Sequence, residues 1–251
     1  MKMSARLLSL SLILVPAVPA LAATTTATPT APAAAAPVTV ARYTFDAGAT
    51  PAGRIAENSG RGGPLTVRTA DHAAVRFITA KTGRYVAFPA RCASGATSCP
   101  RALLEAANDA DLNPGVRPFR WGASVYLTKA QLAGSSNVLQ KGVTTTDSQW
   151  KLQIGATHGR AQCVVVGRGS AQAYIARSSI SVADGAWHRV LCQRSGAALA
   201  VYVDGVNRGQ TGIPAALSIA NTLPLRIGGP NFNTTSDMYH GYLDDVVAVL
   251  G

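Results

Sequence analysis

Only two glutamates, Glu57 and Glu105, occur in 251 residues, and that scarcity bounds the chemistry available. Hydrolysis of a glycoside by an acid and a nucleophile needs two carboxylates about 5 Å apart across one bond. Such pairs are commonly carried at alternate positions of one strand, where both side chains share a face. Glu57 has no acidic residue two or four positions on. Glu105 lies near Asp109 and Asp111, but the stretch NDADLNPG around them reads as a turn. No G-x-S-x-G elbow is present for a serine nucleophile. The four histidines, His72, His158, His188 and His240, are scattered and have no partner at ligand spacing. No catalytic residue is assigned, and the chain is expected not to be an enzyme.

Binding chemistry has more to draw on. In residues 149–154, Trp150, Leu152 and Ile154 alternate with Gln149, Lys151 and Gln153. In residues 120–127, Trp121, Ala123, Val125 and Leu127 alternate with Arg120, Ser124 and Tyr126. Period-two patterning puts one set of each on a core face and the other on the outside. Trp121 and Trp150 are therefore expected in the core. Tyr126, Gln140, Lys151 and Gln153, with Tyr174 as a further member, are expected to gather on one polar sheet face. Amide and ammonium donors beside an aromatic ring suit a glycan or an anionic polymer. The alternative is an ordinary solvated face of an antiparallel sheet.

The elements that must carry these residues are strands. From Val38 on, short alternating runs are broken by Gly, Pro, Asn and Asp. Strands are expected at 38–45, 65–68, 74–78, 84–88, 119–127, 137–140, 149–154, 161–166, 171–176, 187–193, 199–204, 223–227 and 242–250. Only 101–108 and 127–132 suggest brief helical turns. Many short strands without intervening helices predict a two-sheet antiparallel sandwich in one domain, residues 38–251. Before it, Lys2 and Arg6, the apolar run 7–15 and the triplet Ala20-Leu21-Ala22 read as a signal peptide over 1–22. Nine apolar residues are too few for a transmembrane segment, which needs about 20. Residues 23–37 are Thr, Ala and Pro only and read as a linker with no core to bury. The protein is expected to be secreted and extracellular.

The cysteines agree with export. Cys163 and Cys192 fall in two strands expected to be neighbours in one sheet, and Cys92 and Cys99 close a short loop. Two disulfides, 92–99 and 163–192, are the expected pairing in an oxidising compartment. Zinc would need closer ligand spacing. The net charge is +11, falling to +9 once Lys2 and Arg6 are removed, with 18 Arg against 5 Lys. A basic surface favours anionic partners such as acidic polysaccharides or wall polymers. No basic run interleaved with aromatics supports nucleic acid.

Asp184-Gly185-Ala186-Trp187-His188-Arg189-Val190, followed by Leu199-Ala200-Val201-Tyr202-Val203-Asp204-Gly205, resembles the "DGxWHxV … lxlYVDG" signature of laminin-G-like domains. These domains belong to the concanavalin A-like lectin/glucanase superfamily. Leu225-Arg226-Ile227-Gly228-Gly229 and Gly241-Tyr242-Leu243-Asp244-Asp245-Val246 are similar to its closing motifs. Tyr43-Thr44-Phe45-Asp46 and Glu57-Asn58-Ser59-Gly60 are similar to its opening ones. The motifs stand in family order from Val38 to Gly251 and suit a secreted actinobacterial type.

The resemblance implies an all-β jelly-roll sandwich of two curved antiparallel sheets. It also implies one structural calcium ion between the first and last strands. By match to the family, Asp244 of the closing motif and Asp46 of the opening one are the metal candidates, with carbonyls near Asn58 and Gly60. The superfold hosts lectins, glycosidases, lyases and adhesion modules, so it does not by itself supply a function. Relatives with lyase activity use Arg, Gln, His and Tyr; Gln153-Ile154-Gly155 is the one comparable piece and lacks the His. The reading is a secreted, non-catalytic, monomeric module for a polysaccharide or anionic wall polymer. A protein-adhesion module is the alternative, and a hydrolase or lyase comes third.

Overall fold

A computed structural model describes residues 36–93, 95–132, 134–145, 147–233 and 236–251. The expected signal peptide, and the expected linker except its last two residues, lie outside the described residues. The strands are β1 (Val38–Tyr43), β2 (Arg54–Ile55), β3 (Leu65–Ala70), β4 (Arg76–Thr79), β5 (Arg84–Ala87), β6 (Arg101–Ala106), β7 (Phe119–Thr128) and β8 (Ser136–Lys141). They continue with β9 (Gln149–Ile154), β10 (Arg160–Val166), β11 (Ala173–Ser181), β12 (Asp184–Ser195), β13 (Ala198–Val203), β14 (Val206–Gly212), β15 (Leu225–Ile227) and β16 (Tyr242–Leu250). Single 3-10 turns stand at Ala110–Leu112 and Lys129–Gln131.

These strands form two antiparallel sheets, as the alternating patterns require. The first runs β14-β13-β12-β7-β16-β5-β4, with β1 also paired to β16. The second runs β11-β10-β9-β8-β15-β6-β3-β2. The inner faces meet in one core, where Phe119, Trp121 and Trp150 pack with ring centroids 5.2–5.7 Å apart. Both tryptophans are fully buried, as expected of residues on the apolar side of β7 and β9. The Trp150 indole satisfies its own donor by bonding the Leu112 carbonyl at 2.9 Å.

Three expectations need correction. Residues 101–106 form strand β6 instead of a helical turn: Ala, Leu and Glu favour helix locally, but β3 and β15 flank this segment and pair with it. Strand β14 escapes the hydrophobic pattern because VNRGQTG is a polar edge with two glycines. The Cys163–Cys192 bridge forms, with Cα atoms 5.5 Å apart, but it joins β10 of the second sheet to β12 of the first. It spans the core; the two strands are not neighbours in one sheet. Cys92–Cys99 closes its loop as expected.

Among the described residues, Lys141 and Arg194 are buried with no ion pair to a carboxylate, although the charge of Asp109 acts on Lys141. Lys141 faces inward opposite Trp150, and its Nζ donates to Asn113 Oδ1 at 2.8 Å and the Asn221 carbonyl at 2.7 Å. Burial pulls its pKa down to about 8. Arg194 is fully buried and donates to the carbonyls of Gly115, Arg117, Ala215 and Leu217 at 2.9–3.2 Å. Convergent carbonyl dipoles here replace the water that each charge gave up.

Candidate functional site

The outer face of the first sheet carries the site. Tyr126 on β7 lies opposite Trp187 on β12 and opposite Tyr242 on β16, so three strands bring three rings into one row. Tyr85 on β5 adds a fourth. Centroid distances are 5.1 Å for Tyr126–Tyr242, 5.7 Å for Tyr126–Trp187, and 5.2 Å from Tyr85 to both Trp187 and Tyr242. These are the spacings of offset and edge-to-face aromatic contacts. Trp187 is 42% exposed and the three tyrosines are half-buried. The rings thus form a platform that faces solvent.

Local devices set this row. A bulge between Asp184 and Trp187 re-aims the start of β12. Asp184 closes the turn by accepting the Ala186 amide at 3.0 Å. Beneath the platform, the buried Tyr239 hydroxyl lies 3.0 and 3.1 Å from the carbonyls of Tyr126 and Tyr242. Gly241 permits that approach, because a Cβ there would come within 2.2 Å of the Tyr126 carbonyl oxygen. Beside the platform, His188 bonds Asp204 through Nδ1 at 2.8 Å and Asp184 through Nε2 at 3.1 Å. Burial opposes charge on the imidazole, but the two carboxylates outweigh it and raise its pKa.

The expected one-face cluster does not form. Tyr126 is on the first sheet, whereas Gln140, Lys151 and Gln153 share the outer face of the second. Tyr174 packs against the core. The three polar residues are largely engaged by neighbours: Gln140 with Asn137 at 2.6 Å and the Gly142 carbonyl at 3.1 Å, Gln153 with Gln162 at 2.7 Å. Lys151 stands 4.0 Å from Asp237, and burial lowers its pKa. At the end of this face, Ser135, His158, Arg160, Gln162 and Arg177 line a cleft of about 280 Å³.

Sequence reasoning missed Tyr85, Trp187 and Tyr242 as partners of Tyr126. Trp187 and Tyr242 sat inside family motifs, and only strand order shows that they are adjacent. The glutamates are engaged elsewhere. Glu57 accepts the amides of Arg42, Ser59 and Gly60 at 2.6–2.9 Å. Glu105 pairs with Arg226 at 2.9 Å on the second sheet.

The two metal candidates are near enough to interact. Asp46 Oδ1 accepts the Arg84 amide at 3.0 Å and lies where a Cβ on Gly83 would fall, so only glycine fits there. Asp244 has its pKa pushed up to about 6, by burial first and then by the charges of Asp245 and Asp46. Asn58 Oδ1 accepts the Thr44 amide at 3.2 Å, two residues from Asp46. Among the described residues, no three His, Cys, Asp or Glu side chains gather as a metal cluster. What the pair offers a cation is two carboxylates, hard oxygen donors of the kind calcium takes.

Residues 119–249 match the family described as the concanavalin A-like lectin/glucanases superfamily. No protein of curated function matches the chain. Domain 4 of an extracellular arabinanase from Geobacillus stearothermophilus, solved in complex with arabinotriose, superposes with a TM-score of 0.63 at 14% identity. That alignment covers 86% of this chain and 93% of the domain. The binding domain of Paraclostridial Mosquitocidal Protein 1 gives 0.59 at 11% identity over 84% of this chain and 48% of its own. A botulinum neurotoxin type C structure, described with cell entry dependent on two ganglioside molecules, gives 0.61 at 9% identity over 84% and 47%. The chain spans about half the length of the two toxin structures. At these identities the likeness is one of fold.

Proposed function

The chain belongs to the concanavalin A-like lectin/glucanases superfamily, and from that premise we propose that it is a secreted, non-catalytic carbohydrate-binding module. The platform of Tyr85, Tyr126, Trp187 and Tyr242 carries the reading. One face of a pyranose or furanose ring is a row of polarised C–H groups, which attract the negative face of an aromatic ring. Four touching rings on an open sheet offer such a surface without a deep pocket, and that suits internal stretches of a polymer. An arabinanase domain holding arabinotriose and a toxin described with gangliosides lend support to this assignment for the fold. The two disulfides suit an extracellular setting.

The test is a glycan and wall-polymer array, followed by calorimetry on the best hit. Trp187→Ala and Tyr126→Ala are each expected to weaken binding about tenfold or more, equivalent to about 1.4 kcal/mol. Undiminished binding by both variants would remove the platform as the site. An array with no hit, together with capture of a protein ligand, would favour adhesion instead.

A calcium ion is the cofactor we propose, held by the carboxylates of Asp46 and Asp244. Bound there, it would supply positive charge where Asp46, Asp244 and Asp245 crowd, and tie the loop after β1 to β16.

A further inference from the structure

Beyond the platform, the same sheet face continues as a track with a different chemistry. Along β12, residues 187, 189, 191 and 193 point outward, and β7 places Tyr126, Ser124, Gly122 and Arg120 directly opposite them. At about 3.3 Å per residue this track is roughly 20 Å long, enough for an extended oligosaccharide. Its far half opens into a groove of about 340 Å³ lined by Arg120, Arg189, Leu191, Gln193, Tyr202 and Gly205. Gly122 leaves the floor of the track low between the two ends, since it contributes no side chain where Leu191 faces it. Arg120 and Gln193 also border a second hollow of about 280 Å³ with Ser195 and Gly251.

The two guanidinium groups are not equivalent. Arg189 donates to the Asp245 carbonyl at 2.5 Å and lies close to Asp244 and Asp245, so its charge is already answered. Arg120 is half-buried in the sheet surface and has no hydrogen bond or ion pair from its side chain among the described residues. Opposite it, the Gln193 amide is likewise uncommitted among the described residues. A fork of planar N–H donors beside an amide donor is the arrangement that recognises a carboxylate or sulfate group. The net charge of +9 after signal removal points to the same class of partner.

We infer that this face binds an acidic polysaccharide, with the aromatic platform stacking its sugar rings and the Arg120–Gln193 end of the track taking its anionic groups. The inference rests on the carbohydrate-binding reading above and names the class of polymer.

Two matched polymer pairs test it: polygalacturonate against its fully methyl-esterified form, and dextran sulfate against dextran. The wild-type protein is expected to bind the acidic member of at least one pair about tenfold more tightly at low salt, and the preferred pair identifies carboxylate or sulfate. Arg120→Ala and Arg120→Gln should both bring that pair to equal affinity with an unchanged melting temperature. Equal wild-type affinity within both pairs, or a preference that survives both Arg120 variants, would overturn the inference while leaving the platform reading intact. Tighter binding of duplex DNA than of either acidic polymer would also overturn it. If no polysaccharide binds here or on the array, the functional reading itself fails, and this inference fails with it.

Discussion

His188 Nδ1 lies 2.8 Å from Asp204 Oδ2, which couples the start of β12 to the turn between β13 and β14 immediately beside the exposed Trp187. The same ring reaches Asp184 on its other side, so one imidazole ties both turns that shape the platform edge. A protonated ring donates from both nitrogens and satisfies both carboxylates.

That geometry predicts a pH dependence. The raised pKa of His188 means its contribution to stability is complete below the ordinary value of about 6.5 and is lost as pH rises through the folded-state value. For Asp184 and Asp204, burial opposes ionisation, but their hydrogen bonds win and lower both values. Their contribution is present above the usual carboxylate range and is lost as pH falls through the depressed values. Thermal melts should show wild type gaining on His188→Gln in mildly acid buffer and losing that advantage at alkaline pH. A pH-independent difference between the two would rule out the ion-pair account.

Arg194→Met should destabilise the fold by about 3 kcal/mol, because four carbonyls lose a charged donor inside the protein. Arg194→Lys should recover only part of this, since one ammonium cannot reproduce the planar fork that reaches residues 115, 117, 215 and 217 together. Urea titrations report both values. A Met variant as stable as wild type would show that the carbonyls find other donors.

Removing the core-spanning bridge with Cys163→Ala and Cys192→Ala should cost about 2–4 kcal/mol. The Cys92–Cys99 pair closes a shorter loop, with a separation of 7 residues against 29, and its removal should cost less. Denaturant midpoints of the two double variants give the order directly, and the reverse order would contradict it.

Millimolar calcium should raise the melting temperature of the wild-type protein by several degrees, through preferential binding to the folded state. Asp46→Asn and Asp244→Asn should each abolish most of that rise. A wild-type melting temperature indifferent to calcium and to chelator would exclude the site.

Much of the fold was legible because burial on one side of a strand imposes period-two alternation on its residues. In β7 and β9 that pattern places Trp121 and Trp150 in the core and Tyr126, Lys151 and Gln153 on the opposite sides of their strands, where Gln153 is nevertheless buried. Where the pattern is weak, as in the polar edge strand β14, or where helix formers are overridden by flanking strands, as in β6, it misled or said nothing. The site was less legible still. Tyr126 was singled out, but with Gln140, Lys151 and Gln153 as its companions instead of Tyr85, Trp187 and Tyr242.

By itself, the sequence determined which side of most strands is apolar, where the turns fall, and that Cys92 pairs with Cys99 across a short loop. These follow from local composition and short-range spacing. Only the tertiary structure decided which strands lie side by side, and so which outward residues form a surface. Tyr126 and Gln140 are 14 positions apart in the chain yet belong to opposite sheets, whereas Tyr126 and Tyr242 touch across 116 positions. Alternation assigns a residue to a face of its own strand, but strand order is a non-local pairing that no short window of sequence contains.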